Sequence, residues 1–366
     1  MPNTVKEIRV GIIGGGYMGK VHAAAARAAQ VNAELSVNIE LEGVAASSQA
    51  TAEKYKKIFG YKQAFNSASL LIGSPEIDAV IIASPQATHL EYVRLCATFG
   101  KPVLCEKPMG QNLSEAIEIV KVTKELIHMV GYNYIHTPST AYARSVLNAE
   151  TLGDIIWYRG EHHEDFLVKT EGNEWRQEGE ANGTLGDLMP HPIHCALALA
   201  GPIVRVIADI RSRPSVRGRP PSKGANDDQA HLMCEFKNGA NGFISASRVA
   251  HGRKMGLAYE IHCTKGAIRF DQEDQNCLWI YRAGIDQGFQ RVLAGPGHGG
   301  YSMFCQGPGH GTGYQDQIIL EQIAFYRAIL GEIKAWPSFT DGLEVMQVCD
   351  SIRVSHDKQS WTDVGG

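Results

Sequence analysis

The chain lacks paired cysteines, long apolar runs and any excess of basic residues. Its eight cysteines include no Cys-x-x-Cys pair, which argues against a disulfide framework or a zinc ribbon and favours reduced thiols in the cytoplasm. No uncharged and mainly apolar stretch reaches the roughly 18 residues of a membrane helix, and the first residues contain no apolar segment of signal-peptide length. A formal net charge of −4 disfavours nucleic acid or anionic lipid as a partner. We therefore expect a cytoplasmic protein without a nucleic-acid or membrane partner.

What is present fits a globular protein of two domains. The chain has 366 residues, of which 44% are hydrophobic and 20% are charged, an ordinary composition for a globular protein of this length. Strand-like and helix-like segments alternate over residues 1–132, which predicts a doubly wound parallel sheet, the Rossmann fold. The predicted strands are 8–13, 42–46, 79–83, 103–105 and 129–132, and helices are expected up to residue 30, over 52–59, from 88 and over 113–125.

From residue 133 to 366 the pattern changes to successive strands. This predicts an α+β domain with a large, mainly antiparallel sheet, which would bind substrate and mediate oligomerisation. Two irregular stretches interrupt it, 211–227 and 295–313, and the first is expected to be a solvated loop. Apolar residues recur at helical spacing over 317–331 and predict an amphipathic helix. The strands are predicted over 155–161, 204–210, 230–236, 240–247, 258–263, 267–270 and 278–281.

A glycine-rich turn follows the first predicted strand. Gly14 allows the strand to turn sharply, Gly16 allows a pyrophosphate to approach the backbone, and Gly19 allows the next helix to pack on the sheet. The helix that follows offers N–H donors to an anion. Because the turn lies between a strand and a helix, it predicts dinucleotide binding, with Tyr17 and Met18 as further contacts.

The second predicted strand ends without the acid that usually binds a ribose. Ser47 and Ser48 stand there instead, and either hydroxyl suits a ribose or a 2′-phosphate. No arginine follows to pair with a phosphate dianion. The sequence therefore favours NAD as the cofactor and leaves NADP possible.

Polar residues follow the next two predicted strands. In a doubly wound sheet, ligands bind beyond the carboxyl ends of the strands, so these residues should face the cofactor crevice. A lysine on a loop is usually only a solvated charge. Its position at this edge makes Lys107 a candidate for chemistry. We assign cofactor contacts to Ser84, Pro85, Gln86, His89, Glu106 and Lys107.

An aspartate and a histidine lie four residues apart in the second domain. If a helix begins near residue 188, Asp187 lies at its N-cap and His191 follows one turn later on the same face. The pair suits joint contact with a substrate hydroxyl. A capping aspartate and a hydrogen-bonded core histidine explain the spacing equally well.

A metal site is a further interpretation of the same segment, since His194 adds a third possible ligand to Asp187 and His191. No other carboxylate or thiolate cluster completes a coordination shell. His162 and His163 are adjacent on a predicted strand and should point to opposite faces. We therefore expect no metal.

The pentapeptide Gly-Pro-Gly-His-Gly occurs twice, at 295–299 and 307–311, on either side of Tyr301. The two copies contribute His298 and His310. Glycine at this density allows a loop to fold over a ligand or to remain a plain surface loop. Both interpretations stay open.

Taken in order, these motifs resemble the glucose–fructose oxidoreductase / inositol dehydrogenase family (Gfo/Idh/MocA) over nearly the whole chain. The motifs are Gly-Gly-Gly-Tyr-Met-Gly at 14–19, Ser-Pro-Gln-Ala-Thr-His at 84–89, Glu-Lys-Pro at 106–108, Gly-Tyr-Asn-Tyr-x-x-Thr-Pro at 131–138, Trp-Arg at 175–176, Leu-Gly-Asp-x-x-x-His at 185–191, Asn-Asp-Asp at 226–228, Asn-Gly-Ala at 238–240 and Ser-Arg at 247–248. The resemblance implies that Lys107, Asp187 and His191 are catalytic. We assign substrate contacts to Lys107, Tyr134, Asp165, Trp175, Arg176, Asp187, His191 and His310.

Two departures from the family pattern prevent the substrate from being carried over. His194 stands where the family more usually has an aspartate, and Ile135 or His136 stands where an arginine is frequent. Within the family, Trp-Arg at 175–176 and the helix start at 17–22 are similar to dehydrogenases of inositols, anhydrosugars of the levoglucosan type and glycosides.

The resemblance implies hydride transfer between a nicotinamide cofactor and a secondary alcohol of a cyclic polyol. In this hypothesis His191 takes the hydroxyl proton, because an imidazole has an ordinary pKa of about 6.5. Lys107 donates to the same oxygen and Asp187 orients the pair. Two alternatives remain: an NAD-dependent glycoside hydrolase of the same family, and a dinucleotide-binding protein without catalysis. A homodimer or homotetramer through the C-terminal sheet is expected.

Overall fold

The computed structural model describes residues 7–168, 179–213 and 226–365. The chain forms two compact units. Unit 1 contains Met1–His136 and Gly313–Leu343, and unit 2 contains Thr137–Thr312 and Glu344–Gly366. Within the described residues, no helix combines the length and the hydropathy needed to span a bilayer.

Unit 1 is built on a six-stranded parallel sheet with the order β3-β2-β1-β4-β5-β6. This order confirms the predicted Rossmann fold, since the sheet is doubly wound around β1. The strands are β1 (Glu7–Ile13), β2 (Asn38–Ala45), β3 (Gln63–Phe65), β4 (Ala79–Ile82), β5 (Val103–Glu106) and β6 (His128–Gly131). The helices are α1 (Tyr17–Asn32), α2 (Gln49–Phe59), α3 (Ala68–Gly73), α4 (His89–Thr98) and α5 (Leu113–Val122).

The central strands of this sheet are apolar because helices cover both of its faces. Val10, Ile81 and Leu104 have no exposed surface, and Ala26 and Ala29 of α1 are equally buried. Small residues on α1 allow its backbone to lie close to the sheet. Strand β3 and helix α3 were not predicted from the sequence, because three and six residues are too few to show a periodic pattern.

Unit 2 contains a nine-stranded sheet with the order β14-β13-β12-β11-β7-β10-β9-β8-β15. All neighbouring strands are antiparallel except β7 and β10, which confirms the predicted, mainly antiparallel sheet. The strands are β7 (Ile155–His163), β8 (Ile203–Arg211), β9 (Gln229–Phe236), β10 (Asn241–Ser247), β11 (Gly256–Cys263), β12 (Gly266–Asp271), β13 (Cys277–Arg282), β14 (Gln290–Leu293) and β15 (Thr362–Asp363). The helices before β8 are α6 (Pro138–Asn148), α7 (Thr184–Asp187) and α8 (Pro190–Ala200).

Two further helices follow β14, α9 (Tyr314–Ile329) and α10 (Phe339–Lys358). Helix α9 confirms a helix over most of 317–331, but the prediction that it is amphipathic was wrong, because residues 317–323 are buried on every face. It packs against α1 and belongs to unit 1, whereas our sequence boundary at residue 132 assigned everything beyond it to the second domain. The boundary between the two units falls within α10, after Leu343.

Helix α9 carries a buried acid that should make stability depend on pH. Glu321 is 1% exposed, and neither of its carboxyl oxygens has a hydrogen-bond partner among the described residues. Burial raises the pKa of Glu321 well above its ordinary value, and the Glu106 carboxylate raises it further. Since the folded pKa is the higher one, the folded state keeps this proton as pH rises. The stabilising contribution is therefore greatest below the unfolded pKa of about 4.3 and falls above it.

We expect Glu321→Gln to flatten this dependence, because a carboxamide of similar shape does not ionise. The loss of unfolding free energy between about pH 5 and about pH 8 should shrink by at most about 1.4 kcal/mol for each pH unit over which only the folded state keeps the proton. Denaturant titrations at both pH values measure it, with the exposed Glu125→Gln as control. Equal pH dependence in the two variants would contradict the prediction.

Candidate active site

The glycine-rich turn after β1 has the geometry of a dinucleotide-binding loop. Gly14 has φ of +100°, and its N–H donates to the Ala45 carbonyl at 2.9 Å. A Cβ at Gly14 would lie 2.5 Å from the Ala83 carbonyl oxygen, and one at Gly19 would lie 2.1 Å from the Gly14 oxygen. These two positions therefore require glycine for the turn and for the approach of α1 to it.

Gly16 differs from the other two glycines, because a Cβ there would meet nothing within 4 Å. Glycine at this position therefore keeps open space beside the backbone at the start of α1. The first turn of α1 contains no acidic residue, so its N–H groups can receive an anion without repulsion. Tyr17 is 65% exposed at the same end, and Met18 accepts from the Tyr314 hydroxyl at 3.8 Å. This turn fits the pyrophosphate of a dinucleotide.

Gly16→Val should weaken cofactor binding without unfolding the protein, because its side chain fills space that no protein atom occupies. We expect the dissociation constant for NADH to rise at least about tenfold, equivalent to about 1.4 kcal/mol. Fluorescence titration with NADH measures the affinity, and thermal unfolding without cofactor checks the fold. Gly288→Val is the matched control, since a Cβ there also meets nothing within 4 Å. Unchanged NADH affinity in Gly16→Val would refute the assignment.

The two serines after β2 have different surroundings. Ser48 is the N-cap of α2, and its hydroxyl accepts from the Thr51 N–H at 3.2 Å and donates to the Thr51 hydroxyl at 2.9 Å. Ser47 is exposed. The capping bonds of Ser48 leave Ser47 as the more available hydroxyl at this edge.

The loop after β4 is tied to the loop after β5 by a buried histidine. His89 is 1% exposed, and its ring nitrogens lie 2.9 Å from the Ser84 carbonyl oxygen and 3.0 Å from the Pro108 carbonyl oxygen. Burial lowers the pKa of His89. Both nitrogens are thus engaged with backbone, which favours a positioning role; contact of His89 with the cofactor stays a prediction.

The rest of this loop forms a short 3-10 turn, Gln86–Thr88, after Pro85. The Ser84 hydroxyl lies 2.7 Å from the Thr88 hydroxyl. Pro85 is exposed at the tip, and Gln86 is half-buried. These residues follow β4 at the carboxyl edge of the sheet, where the sequence placed them.

A series of hydrogen bonds between side chains supports Glu106, the residue before Lys107. The Tyr326 hydroxyl donates to Oε1 of Gln322 at 2.7 Å, so the Gln322 amide donates to Nδ1 of His22 at 3.0 Å. His22 therefore carries its proton on Nε2 and donates to Glu106 at 2.9 Å. The second oxygen of Glu106 accepts the Lys107 N–H at 3.2 Å.

These hydrogen bonds hold the end of β5 in place, since Glu106 is the last residue of that strand. The sequence analysis identified Glu106 and Lys107 but gave no role to His22 or Gln322. Gln322 is separated from His22 by 300 residues, so no local pattern reveals the contact. Lys107 itself is half-buried immediately after the strand.

In unit 2, Asp187 and His191 lie on consecutive helices. Asp187 is the last residue of α7, and α8 begins at Pro190 with Met189 as its N-cap. The prediction that Asp187 caps a helix starting near residue 188 was wrong, because Asp187 ends α7 and the N-cap of α8 is Met189. His191 is 5% exposed on α8, and its N–H donates to the Leu188 carbonyl.

Helix α7 is held by a buried ionic cluster. Asp227 accepts the Leu185 N–H at 2.8 Å through its side chain, and the Arg248 guanidinium donates to the Asn182 carbonyl at 2.7 Å. Arg248 also pairs with Asp228 at 3.1 Å, with side chains 1% and 0% exposed. Burial raises the pKa of Asp227. These buried contacts hold in place the segment that carries Asp187. The sequence analysis did not assign this role to Asp227, Asp228 or Arg248.

A second histidine lies beside His191. The rings of His162 and His191 have centroids 5.4 Å apart and planes at 62°. His162 donates from Nε2 to Glu164 at 2.9 Å, while His163 bonds the Ser245 hydroxyl on the other face of β7. The two adjacent histidines therefore point apart, as predicted. Among the residues that the structure describes, no group of three or more His, Cys, Asp or Glu side chains is arranged to hold a metal ion.

The remaining predicted substrate residues fall in several places. Tyr134 is 6% exposed in unit 1, with its ring centroid 6.1 Å from that of Tyr314. In unit 2, Asp165 accepts from the Gly252 N–H at 3.0 Å and from Lys254 at 2.6 Å, and Lys254 lowers its pKa. These bonds give Asp165 a structural role, and its contact with substrate stays a prediction. Trp175 and Arg176 lie outside the described residues.

The histidines of the duplicated pentapeptide make the same local contact in both copies. Nδ1 of His298 lies 3.2 Å from the Gly295 carbonyl, and Nδ1 of His310 lies 2.9 Å from the Gly307 carbonyl. The buried Tyr301 hydroxyl donates to the Gly307 carbonyl and accepts the N–H of His310. His298 is buried and His310 is exposed, so only the second copy presents its imidazole to solvent.

Comparisons with known proteins cover both units. Residues 8–134 match the model described as an oxidoreductase family with an NAD-binding Rossmann fold. Residues 140–269 match the GFO/IDH/MocA C-terminal domain. The levoglucosan dehydrogenase of Pseudarthrobacter phenanthrenivorans is 32% identical over 98% of this chain and 99% of its own length. The glucose-6-phosphate 3-dehydrogenase of Bacillus subtilis is 25% identical over 93% and 94%.

Solved structures show the same relationship. A levoglucosan dehydrogenase in complex with NADH and levoglucosan superposes with a TM-score of 0.93 at 32% identity, covering 98% of this chain and 100% of the other. An NAD-binding oxidoreductase from Klebsiella pneumoniae gives 0.92 at 31%, with the same coverage. With its NAD-binding Rossmann domain and its second-domain sheet, the chain belongs to the GFO/IDH/MocA family of oxidoreductases.

Proposed function

We propose that this protein is an NAD-dependent dehydrogenase that oxidises a secondary alcohol of a cyclic polyol, with Lys107, Asp187 and His191 as its catalytic residues. The observation that carries the proposal is the pairing of an open glycine turn at Gly16 with a family match that extends across both domains. Bound NAD supplies a hydride acceptor, so the protein's own groups have to manage the hydroxyl proton and the charge on oxygen.

Each of the three side chains has a distinct part in this chemistry. The buried imidazole of His191 accepts the hydroxyl proton as the carbon-bound hydrogen leaves as hydride. The Lys107 ammonium donates a hydrogen bond to the same oxygen and stabilises the negative charge that develops there. Asp187, at the end of α7, orients His191 or binds a neighbouring hydroxyl. The buried supports of Glu106 and of α7 favour this arrangement, because positioned groups need no reorganisation during the reaction.

For the substrate we favour an anhydrosugar of the levoglucosan class. Support comes from the full-length similarity to levoglucosan dehydrogenase. Inositols and simple monosaccharides remain in the panel to be tested, since glucose-6-phosphate 3-dehydrogenase is also similar along most of the chain. Contacts of the substrate with Tyr134, Asp165, Trp175, Arg176 and His310 are part of the proposal.

The test is a panel of levoglucosan, other anhydrosugars, inositols, monosaccharides and glycosides, assayed for NADH formation. A dehydrogenase forms one NADH for each alcohol oxidised. The alternative, an NAD-dependent glycoside hydrolase, would release sugar from a glycoside without net NADH. No NADH and no released sugar with any compound, from protein that binds NADH, would overturn the proposal and favour a non-catalytic binding protein.

We propose that NAD is preferred to NADP. Support comes from the end of β2, where Ser47 and Ser48 stand without an arginine to pair with a 2′-phosphate. The capping bonds of Ser48 give Ser47 the larger part in ribose binding. Michaelis constants for the two cofactors decide this, and a preference for NADP would reverse it.

We further propose a cytoplasmic homodimer or homotetramer that assembles through the sheet of unit 2. The outer face of this sheet carries a cross-strand row of Ile207, Met233 and Phe243, of which Met233 is 52% and Phe243 is 40% exposed. An apolar row on an open sheet favours burial against a second copy. All eight cysteines are free thiols, which favours a reducing compartment. Light scattering of the protein and of Met233→Lys tests the assembly, and a monomeric wild type would overturn it.

A further inference from the structure

We propose that His162 and Glu164 form a proton relay that carries to solvent the proton taken up by His191. The inference rests on the proposed function. Oxidation of one alcohol breaks a C–H and an O–H bond: the hydride reduces NAD⁺ to NADH, the carbinol becomes a ketone, and one proton remains on the protein. That proton has to leave His191 before the next turnover begins.

His191 is poorly placed to release a proton by itself, since it is 5% exposed on α8. His162 lies beside it, with the two ring centroids 5.4 Å apart in an edge-to-face arrangement. With the ring centroids at this distance, one bridging water can connect a nitrogen of each imidazole, and proton transfer operates either directly or through one water. His162 is itself 2% exposed, so a proton that it receives reaches solvent only through a further group.

Glu164 provides the outer end of the relay. Its Oε1 accepts from Nε2 of His162 at 2.9 Å, and its side chain is 16% exposed, far more than either histidine. Its backbone is fixed on both sides: its N–H donates to the Ser247 carbonyl at 2.7 Å, and its carbonyl accepts the Ala250 N–H at 2.8 Å. The three side chains thus run in order from the buried helix α8 to solvent.

Both apolar and charged side chains surround His162 within the part of the chain that the structure describes. Its neighbours in the sheet are apolar, Ala246 on β10 and Leu257 on β11. The charged and titratable groups nearby include His194 on α8, and Glu161 and His163 on the opposite face of β7. Asp165 is paired with Lys254. Arg248 is paired with Asp228, and Arg253 is paired with Glu273. Glu164 is the carboxylate that these contacts join to His162.

A purely structural role is the competing explanation, in which Glu164 only satisfies a buried histidine. The relay and the structural role predict different effects of a substitution at Glu164 on the kinetic constants. A relay acts after the hydride step, so loss of its carboxylate lowers kcat and KM together and leaves kcat/KM unchanged within about twofold. Small diffusible bases can then replace the carboxylate. A structural support would lower stability and kcat/KM, and no added base would restore them.

The experiment compares Glu164→Gln and His162→Gln with His163→Gln, a matched control on the opposite face of the same strand. Steady-state kinetics are measured in a buffer of large molecules, with and without added imidazole, together with NADH affinity and thermal unfolding. We expect kcat to fall about tenfold in both relay variants, with recovery in imidazole, and His163→Gln to remain at the wild-type value.

Two outcomes would overturn the relay while the wild type turns over. One is wild-type kcat in Glu164→Gln, which keeps the side chain's shape and is the variant least able to disturb folding. The other is a loss that imidazole does not restore in either variant. If the wild type itself oxidises no alcohol in the panel, the proposed function fails instead, so the two failures are distinguishable.

Discussion

Lys107→Met is expected to lower turnover by about 10² to 10⁴ while NADH binds nearly as tightly as to the wild type. Methionine keeps the apolar length of the side chain and removes the donor that stabilises charge on the substrate oxygen. The cofactor turn at 14–19 is formed by glycine backbone and is untouched. His191→Gln should cause a loss in the same range, because the hydroxyl proton then has no imidazole to accept it.

The measurement is kcat and kcat/KM with the best alcohol of the panel, beside NADH titration of each variant. Lys124→Met is the matched control, since Lys124 is an exposed lysine just beyond α5. If Lys107→Met and His191→Gln both retain wild-type turnover, neither group takes part in the chemistry. A loss confined to NADH affinity would instead assign Lys107 to the cofactor alone.

Arg248→Met is expected to destabilise the protein by about 3 to 5 kcal/mol, because it leaves Asp228 as an uncompensated buried charge. The guanidinium and the carboxylate are 1% and 0% exposed and lie 3.1 Å apart. The substitution also removes the bond to the Asn182 carbonyl, which lies just before α7. We therefore expect surviving folded protein to lose turnover as well, since Asp187 loses its support.

Denaturant unfolding measures the change, with Arg211→Met as the matched control. Arg211 lies 2.7 Å from Asp209, but the two side chains are 54% and 40% exposed, so the expected change is below about 1 kcal/mol. The double variant Arg248→Met with Asp228→Leu should recover part of the stability, because no buried charge then remains unpaired. Equal destabilisation by Arg248→Met and Arg211→Met would show that burial does not govern this pair.

Much of the fold was predictable because the residues responsible are neighbours in sequence. The strand β1, its glycine turn and α1 follow one another directly, and each needs a residue type that its backbone geometry requires. The alternation of strands and helices specified the parallel sheet, and successive strands specified the antiparallel one. Two of the elements that were not predicted are short: β3 and β15 have three and two residues, too few for a periodic pattern. The longer helices α6 and α10 were not predicted either.

The candidate site was predictable in its residues more than in its geometry. Lys107 was placed correctly because it follows a parallel strand, and every such strand ends at the same edge. The local rule failed for Asp187, where capping preference suggested a helix start and α7 instead ends. A short helix that depends on Arg248 and Asp227 cannot be inferred from its own four residues.

The sequence by itself determined the two sheets, the cofactor turn and the identity of the residues at the ends of the strands, since these follow from local geometry and from the period of the apolar residues. Only the tertiary structure decided that His22 meets Gln322, that α9 belongs to the first unit, and that Glu164 reaches His191 through His162. The reason is physical: hydrogen bonds and ion pairs between distant residues form where packing brings the groups together, and separation along the chain carries no information about that.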